Sequence, residues 1–104
     1  MALGLARVAG LSMVPYLAPG DVVLVRYGSS FAVNDVVLID QGERTEIKRV
    51  TRIEGSHVFV HGDNAEVSHD SRQYGALTSS QVIATVKWRL PQSLRFLANL
   101  GSSH

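Results

Sequence analysis

Short runs of β-branched and aliphatic residues, each cut off by turn formers, limit this chain more than any other feature. Asp21-Val22-Val23-Leu24-Val25-Arg26 follows the breaker Pro19-Gly20, and Val36-Val37-Leu38-Ile39 lies between Asn34-Asp35 and Asp40-Gln41-Gly42. Runs this short and this apolar read as strands buried on both faces rather than as helices. Residues 45–53 form a longer segment of mixed polarity, with Ile47, Val50 and Ile53 as its apolar points. Glu54-Gly55-Ser56 reads as a hairpin turn into His57-Val58-Phe59-Val60-His61, and residues 82–88 read as the last strand. Between them, residues 62–80 are polar and dense in turn formers, a loop length that in a small domain usually serves function. Pro91 suits the first turn of a helix, and Leu94, Leu97 and Leu100 share one face ahead of Gly101, so a short helix is expected over about 91–100. The pattern predicts one all-β domain over residues 1–104, a curled sheet or partial barrel with a short C-terminal helix.

Composition removes several classes of function. Of 104 residues, 45% are hydrophobic and 18% charged, enough apolar surface for a core and too little charge for a disordered chain. Ten Lys plus Arg against nine Asp plus Glu leave no basic excess, so nucleic acid is not an expected partner. The chain has no cysteine, which excludes a disulfide scaffold, a thiolate zinc site and a cysteine nucleophile. No apolar run approaches the roughly 20 residues that span a bilayer. A soluble, cytoplasmic protein without a transmembrane anchor is expected, with peripheral membrane contact left open.

Few side chains are candidates for chemistry. Ser12 precedes Pro15, which biases Val14 towards extended or turning backbone. A serine hydroxyl is a weak nucleophile until a base takes its proton. Arginine cannot act as that base, and the chain has only two lysines, Lys48 and Lys87, and four histidines. Lys48 lies between Ile47 and Arg49 in a strand-like segment, where burial would disfavour its ammonium form and make it a general base. Taken singly, a loop serine is ordinarily a surface residue and a strand lysine ordinarily faces solvent. His57 and His61 fall on one strand face, but four strand residues span about 13 Å, too far for both to bind one ion even with His69 nearby. No metal or organic cofactor is expected.

In combination these residues resemble the conserved boxes of signal peptidase I-type proteases. Ser12-Met13-Val14-Pro15-Tyr16-Leu17, followed by Gly20-Asp21, is similar to the nucleophile box. Asn34-Asp35-Val36-Val37 resembles the next box, with Asn in place of Gly. Ile47-Lys48-Arg49-Val50 resembles the lysine box, and Gly62-Asp63-Asn64 with Ser68-His69-Asp70-Ser71-Arg72 and Gly75 resembles the last. The boxes come in order and cover roughly residues 8 to 88. Tyr16 and Leu11 depart from the family pattern beside the nucleophile.

The resemblance implies a serine endopeptidase with a Ser/Lys dyad on a β-rich fold. Ser12 would be the nucleophile, Lys48 the general base, and Ser68 the residue that hydrogen-bonds and orients the lysine amine. Asp70 and Arg72 would form a structural ion pair, Asp63 and Asn64 a supporting turn. The Ser12 N–H and position 10, here Gly10, would form the oxyanion hole, with Met13 in the substrate pocket. In size the chain is nearest to the soluble nickel-type superoxide dismutase maturation proteases, which implies a precursor protein with a cleavable N-terminal segment as substrate. A signal-peptidase-like protease with another substrate and a non-catalytic domain that binds peptides by strand addition stay open. Self-cleaving repressor-type Ser/Lys proteases fit less well, because only eleven residues precede Ser12.

Overall fold

The computed structural model describes residues 2–28, 30–94 and 102–103. Among these residues the strands are β1 (Leu3–Arg7), β2 (Val22–Tyr27), β3 (Val36–Asp40), β4 (Thr45–Glu54), β5 (His57–His61), β6 (Leu77–Thr78), β7 (Val82–Arg89) and β8 (Ser102–Ser103), with a short α-helix, α1 (Ser71–Tyr74). They form one sheet in the order β6-β5-β4-β3-β7-β2-β1-β8. Every pairing is antiparallel except that of β1 with β8. The fold is mostly β, as the strand runs predict.

The sheet curls, and β3 shows why its run is continuously apolar. Successive side chains of a strand point to opposite faces. Val36 and Leu38 enter one core cluster with Met13, Leu17, Val23 and Val25, while Val37 and Ile39 enter a second with Val50, Val58 and Val60. A strand that serves two cores has no solvent face and no polar alternation. The register shifts at Leu24/Val25, Leu38/Ile39 and Val50/Arg52. Such irregularities bend a strand and increase its local twist, which lets one sheet wrap both clusters.

Two equivalent turns feed β2 and β3. Gly20 and Asn34 both adopt left-handed backbone, with φ of 89° and 80°. Asparagine tolerates this region better than other residues with a Cβ, which accounts for Asn34 standing where glycine would be expected. Each is followed by an aspartate that closes the turn, the Ala18 N–H donating to Asp21 Oδ2 and the Ala32 N–H to Asp35 Oδ2, both at 2.9 Å.

Three features differ from the sequence-based expectation. Strand β1 was not expected, since Leu3-Gly4-Leu5-Ala6-Arg7 holds no β-branched residue, and its strand form comes from pairing with β2. Residues 62–80 are not structureless: they contain α1, β6 and a 3-10 turn at Ser79–Gln81. The Asp70 side chain caps α1 by accepting the Arg72 N–H, and the Asp70 N–H in turn donates to Gln73 Oε1. Of the helix expected over 91–100, residues 92–94 form a 3-10 turn, and residues 95–100 lie outside the described residues. Among the described residues no helix is long and apolar enough to cross a membrane.

Candidate active site

Ser12 sits in a run of turns over residues 10–17. Met13 and Leu17, both 1% exposed, anchor the run in the first core, and the Leu17 N–H donates to the Met13 carbonyl. A second tie comes from across the fold. The Asn64 N–H donates to the Ser12 carbonyl at 2.7 Å, and Asn64 Nδ2 donates to the Leu11 carbonyl at 3.2 Å. The serine is therefore held between the core beneath it and the 62–64 turn beside it.

Lys48 reaches this serine from β4. Its pairing with Val37 of β3 fixes the backbone, and the residue is only 2% exposed. Nζ lies 3.1 Å from Ser12 Oγ, although the two residues are 36 apart in sequence. Burial is the main influence on the amine and pushes its pKa below the ordinary 10.5. The carboxylates of Glu46 and Asp70 pull the other way, and Arg44 and Arg72 assist burial. Glu46 Oε2 is 3.9 Å from Nζ. Desolvation wins, so the neutral amine is populated at lower pH than in a solvated lysine.

Behind the pair lies a polar cluster centred on Asp70, which is fully buried. Arg72 Nε and Nη2 donate to its two oxygens at 2.9 and 2.5 Å, a two-point pairing that matches the planar geometry of both groups. The Gly62 N–H donates to Oδ2 at 2.7 Å, and Ser68 Oγ donates to the same oxygen at 2.5 Å. Burial alone would raise the Asp70 carboxyl; the hydrogen bonds from Arg72, Ser68 and Gly62 outweigh it and hold the group well below the usual carboxylate range.

Ser68 thus differs from its expected part. Its hydroxyl proton goes to the Asp70 carboxylate, a stronger acceptor than a neutral amine, and its oxygen accepts the Gly62 N–H at 3.1 Å. Among the described residues no hydrogen bond joins Ser68 to Lys48. The hydrogen bonds of Ser68 tie the 62–70 loop to itself.

Gly62 is the point where these groups converge. A Cβ there would collide with the Ser68 side chain and lie 2.7 Å from the Ser12 carbonyl oxygen. Gly62→Ala is expected to lower stability by about 2 kcal/mol, as overpacking of a tight site does. It should also displace Ser12, so the melting temperature falls and the Ser12 backbone NMR signals shift together. A variant with unchanged melting temperature and Ser12 signals would show that the contact relaxes freely.

Arg49 and Asp63 close the other flank. Arg49 Nε and Nη2 donate to Asp63 at 2.9 and 2.8 Å, and Nη1 donates to the Asn34 carbonyl at 2.9 Å. The guanidinium also lies 4.8 Å from the centre of the Tyr16 ring, which gives the unusual aromatic at that position a partner. Sequence reasoning placed Gly62 and Asp63 in the last box but missed the packing demand on Gly62 and Arg49 as the partner of Asp63, and gave Glu46 no role. The alternation of β4 that carries Glu46 to the same face as Lys48 was the available signal for Glu46.

A cleft of about 240 Å³ opens over the serine, lined among others by Val8, Gly10, Met13, Glu46 and Lys48. Gly10 is exposed at its mouth, and a side chain there would meet open space. Of the described histidines, His57 and His61 are on β5, and exposed His69 shares the wall of a second hollow with Ser12 and Lys48 while packing edge-on against Tyr74 at 5.3 Å. Among the described residues, no three His, Cys, Asp or Glu side chains gather as a metal site.

A family model of Peptidase S24-like proteins matches residues 2–87, which include every residue of the site described above. The chain belongs to the Peptidase S24-like family. Membership gives this S24-like protein a serine-protease type of function and agrees with its broader likeness to signal-peptidase-like proteins. It does not single out the superoxide dismutase maturation proteases. No curated protein matches this S24-like chain.

Proposed function

We propose that this S24-like protein is a serine endopeptidase in which Ser12 attacks the peptide carbonyl and Lys48 is the general base. The observation that supports the reading is the buried Lys48 Nζ at 3.1 Å from Ser12 Oγ, within the range for direct proton transfer. An extended peptide enters the cleft between residues 8–10 and 45–48. Neutral Lys48 takes the Ser12 proton as Oγ bonds to the carbonyl carbon. The resulting ammonium protonates the leaving amine as the peptide C–N bond breaks, leaving an ester on Ser12. Lys48, neutral again, then takes a proton from water, whose attack releases the acid and restores Ser12.

The developing oxyanion needs donors in place before the reaction. Among the described residues no backbone acceptor takes the Ser12 N–H, so that group is available. Gly10 supplies no side-chain donor, and a backbone N–H or water completes the hole. Asp70, Arg72, Ser68, Asn64 and the Arg49–Asp63 pair hold the two reacting groups in register. The substrate we propose is a precursor protein that loses an N-terminal segment.

The test is incubation of wild-type and Ser12→Ala protein with a nickel superoxide dismutase precursor and with a secretory preprotein, read by mass spectrometry. Cleavage of either by the wild type alone supports the reading and names the substrate group; equal cleavage by both proteins removes Ser12 from the chemistry. The pH profile gives a second check. Because the base works as the free amine and burial lowers its pKa, turnover should rise with pH through an apparent value below 10.5. A rise that begins only at or above the ordinary lysine value contradicts a dry base.

A further inference from the structure

Glu46 has a place in the cleft that the hydrolytic chemistry does not use. Its side chain is 18% exposed and lies 3.3 Å from Arg44 Nη2 and 3.9 Å from Lys48 Nζ. Besides the 240 Å³ cleft, a second hollow of about 470 Å³ meets the pair, with Leu11, Val67 and His69 on its wall. Glu46 and Arg44 line both hollows, so a peptide lying over Ser12 passes the carboxylate whichever hollow its side chains enter.

A carboxylate largely withdrawn from water requires a cation or several donors. Lys48 cannot fill that need while it works as a base, because the working form is the uncharged amine. Arg44 is the other partner, and its side chain is 71% exposed, on the solvent side of the pair. An exposed arginine holds such a contact weakly and can swing out at little cost. In the reactive state the cleft therefore presents a partly dry negative charge a short way from the nucleophile, covered, among the described residues, by a displaceable guanidinium.

We infer that Glu46 is a specificity-determining residue that accepts a basic substrate side chain close to the scissile bond, taking the place of Arg44. The inference rests on the proposed peptidase reading and adds a substrate class to it: peptides with lysine or arginine flanking the cleaved bond. Ser12 Oγ and Glu46 Oε2 lie 3.1 and 3.9 Å from the same Lys48 Nζ, so the long, flexible stem of either residue can reach the carboxylate from a backbone lying over Ser12.

The test uses a synthetic decapeptide library on an alanine background, with lysine, norleucine or glutamate at each position in turn. Norleucine keeps the length of lysine and removes the charge. Wild-type protein should cleave the best lysine peptide with a kcat/KM about tenfold above its norleucine twin, the scale of one charge-assisted contact. Glu46→Gln should bring that ratio near one, and Glu46→Lys should invert it in favour of glutamate. The ratio is the readout because removing Glu46 also alters Lys48, an effect common to all peptides. Binding of the same fluorescent peptides to Ser12→Ala and to Ser12→Ala/Glu46→Gln gives the same comparison without turnover. If cleavage depends on Ser12 but the ratio is one in wild type, or survives in Glu46→Gln, Glu46 is not the selector and the peptidase reading stands. If no peptide is cleaved, a lysine preference in binding that Glu46→Gln removes still supports the inference, and its absence overturns it.

Discussion

Lys48→Met is expected to reduce peptidase turnover by roughly ten-thousand-fold, on the scale seen when one member of a catalytic unit is removed. The stem of methionine matches that of lysine in length and flexibility, and position 48 is only 2% exposed, so the apolar side chain occupies a space already dry. Removing a buried amine also removes its desolvation cost. The melting temperature should stay the same or rise. That pairing of outcomes separates loss of a base from loss of the fold. Lys48→Arg should be inactive as well, since a guanidinium keeps its proton, but with lower stability because the larger cation has to be buried. Residual turnover within a hundredfold of wild type in Lys48→Met would show that another group takes the Ser12 proton.

The second large effect is on stability. Asp70→Ala should cost about 3–5 kcal/mol, the range for breaking a buried ion pair by removal of one partner. The substitution strips an acceptor from Arg72, Ser68 and the Gly62 N–H at once. Calorimetry should show a melting temperature lower by at least about 10 °C. The same carboxylate makes stability depend on pH in a defined direction. Its pKa is depressed in the folded protein, so its contribution is complete above the ordinary carboxylate value of 3.8 and is lost as pH falls towards the folded value. Wild type should lose stability on acidification below about pH 4, and Asp70→Asn should show a flatter acid limb. An Asp70→Ala variant that melts with wild type would mean that water replaces the whole cluster.

The fold was legible where one strand's own composition decides its state. β2, β3, β5 and β7 carry β-branched runs between turn formers, and their limits in the structure fall close to those expected. β1 was illegible because nothing in Leu-Gly-Leu-Ala-Arg prefers extended backbone; the register with β2 imposes it. α1 has a legible start, since Asp70 and Gln73 have capping-box spacing, but a four-residue helix has no room for periodicity. At the site, the chemical types of Ser12 and Lys48 were readable, whereas their approach across 36 residues depends on how β3 pairs with β4, and only the resemblance carried that expectation. The hydrogen bond from Ser68 to Asp70 was not legible, because a sequence does not say which of several nearby acceptors a hydroxyl will choose. The pairing of Arg49 with Asp63 was hidden for the same reason: charges are visible in a sequence, but partners are not.

The central claim is that the Lys48 amine is dry enough to be uncharged while it touches Ser12 Oγ. With only two lysines in the chain, a carbon-13 NMR titration of the lysine ε-carbons tests it directly, and Lys87→Arg leaves the Lys48 signal alone. This signal should move through its transition below pH 10.5 and shift in Ser12→Ala, where its neighbour is gone. A Lys48 signal that titrates at or above 10.5 and ignores the loss of Ser12 would contradict it.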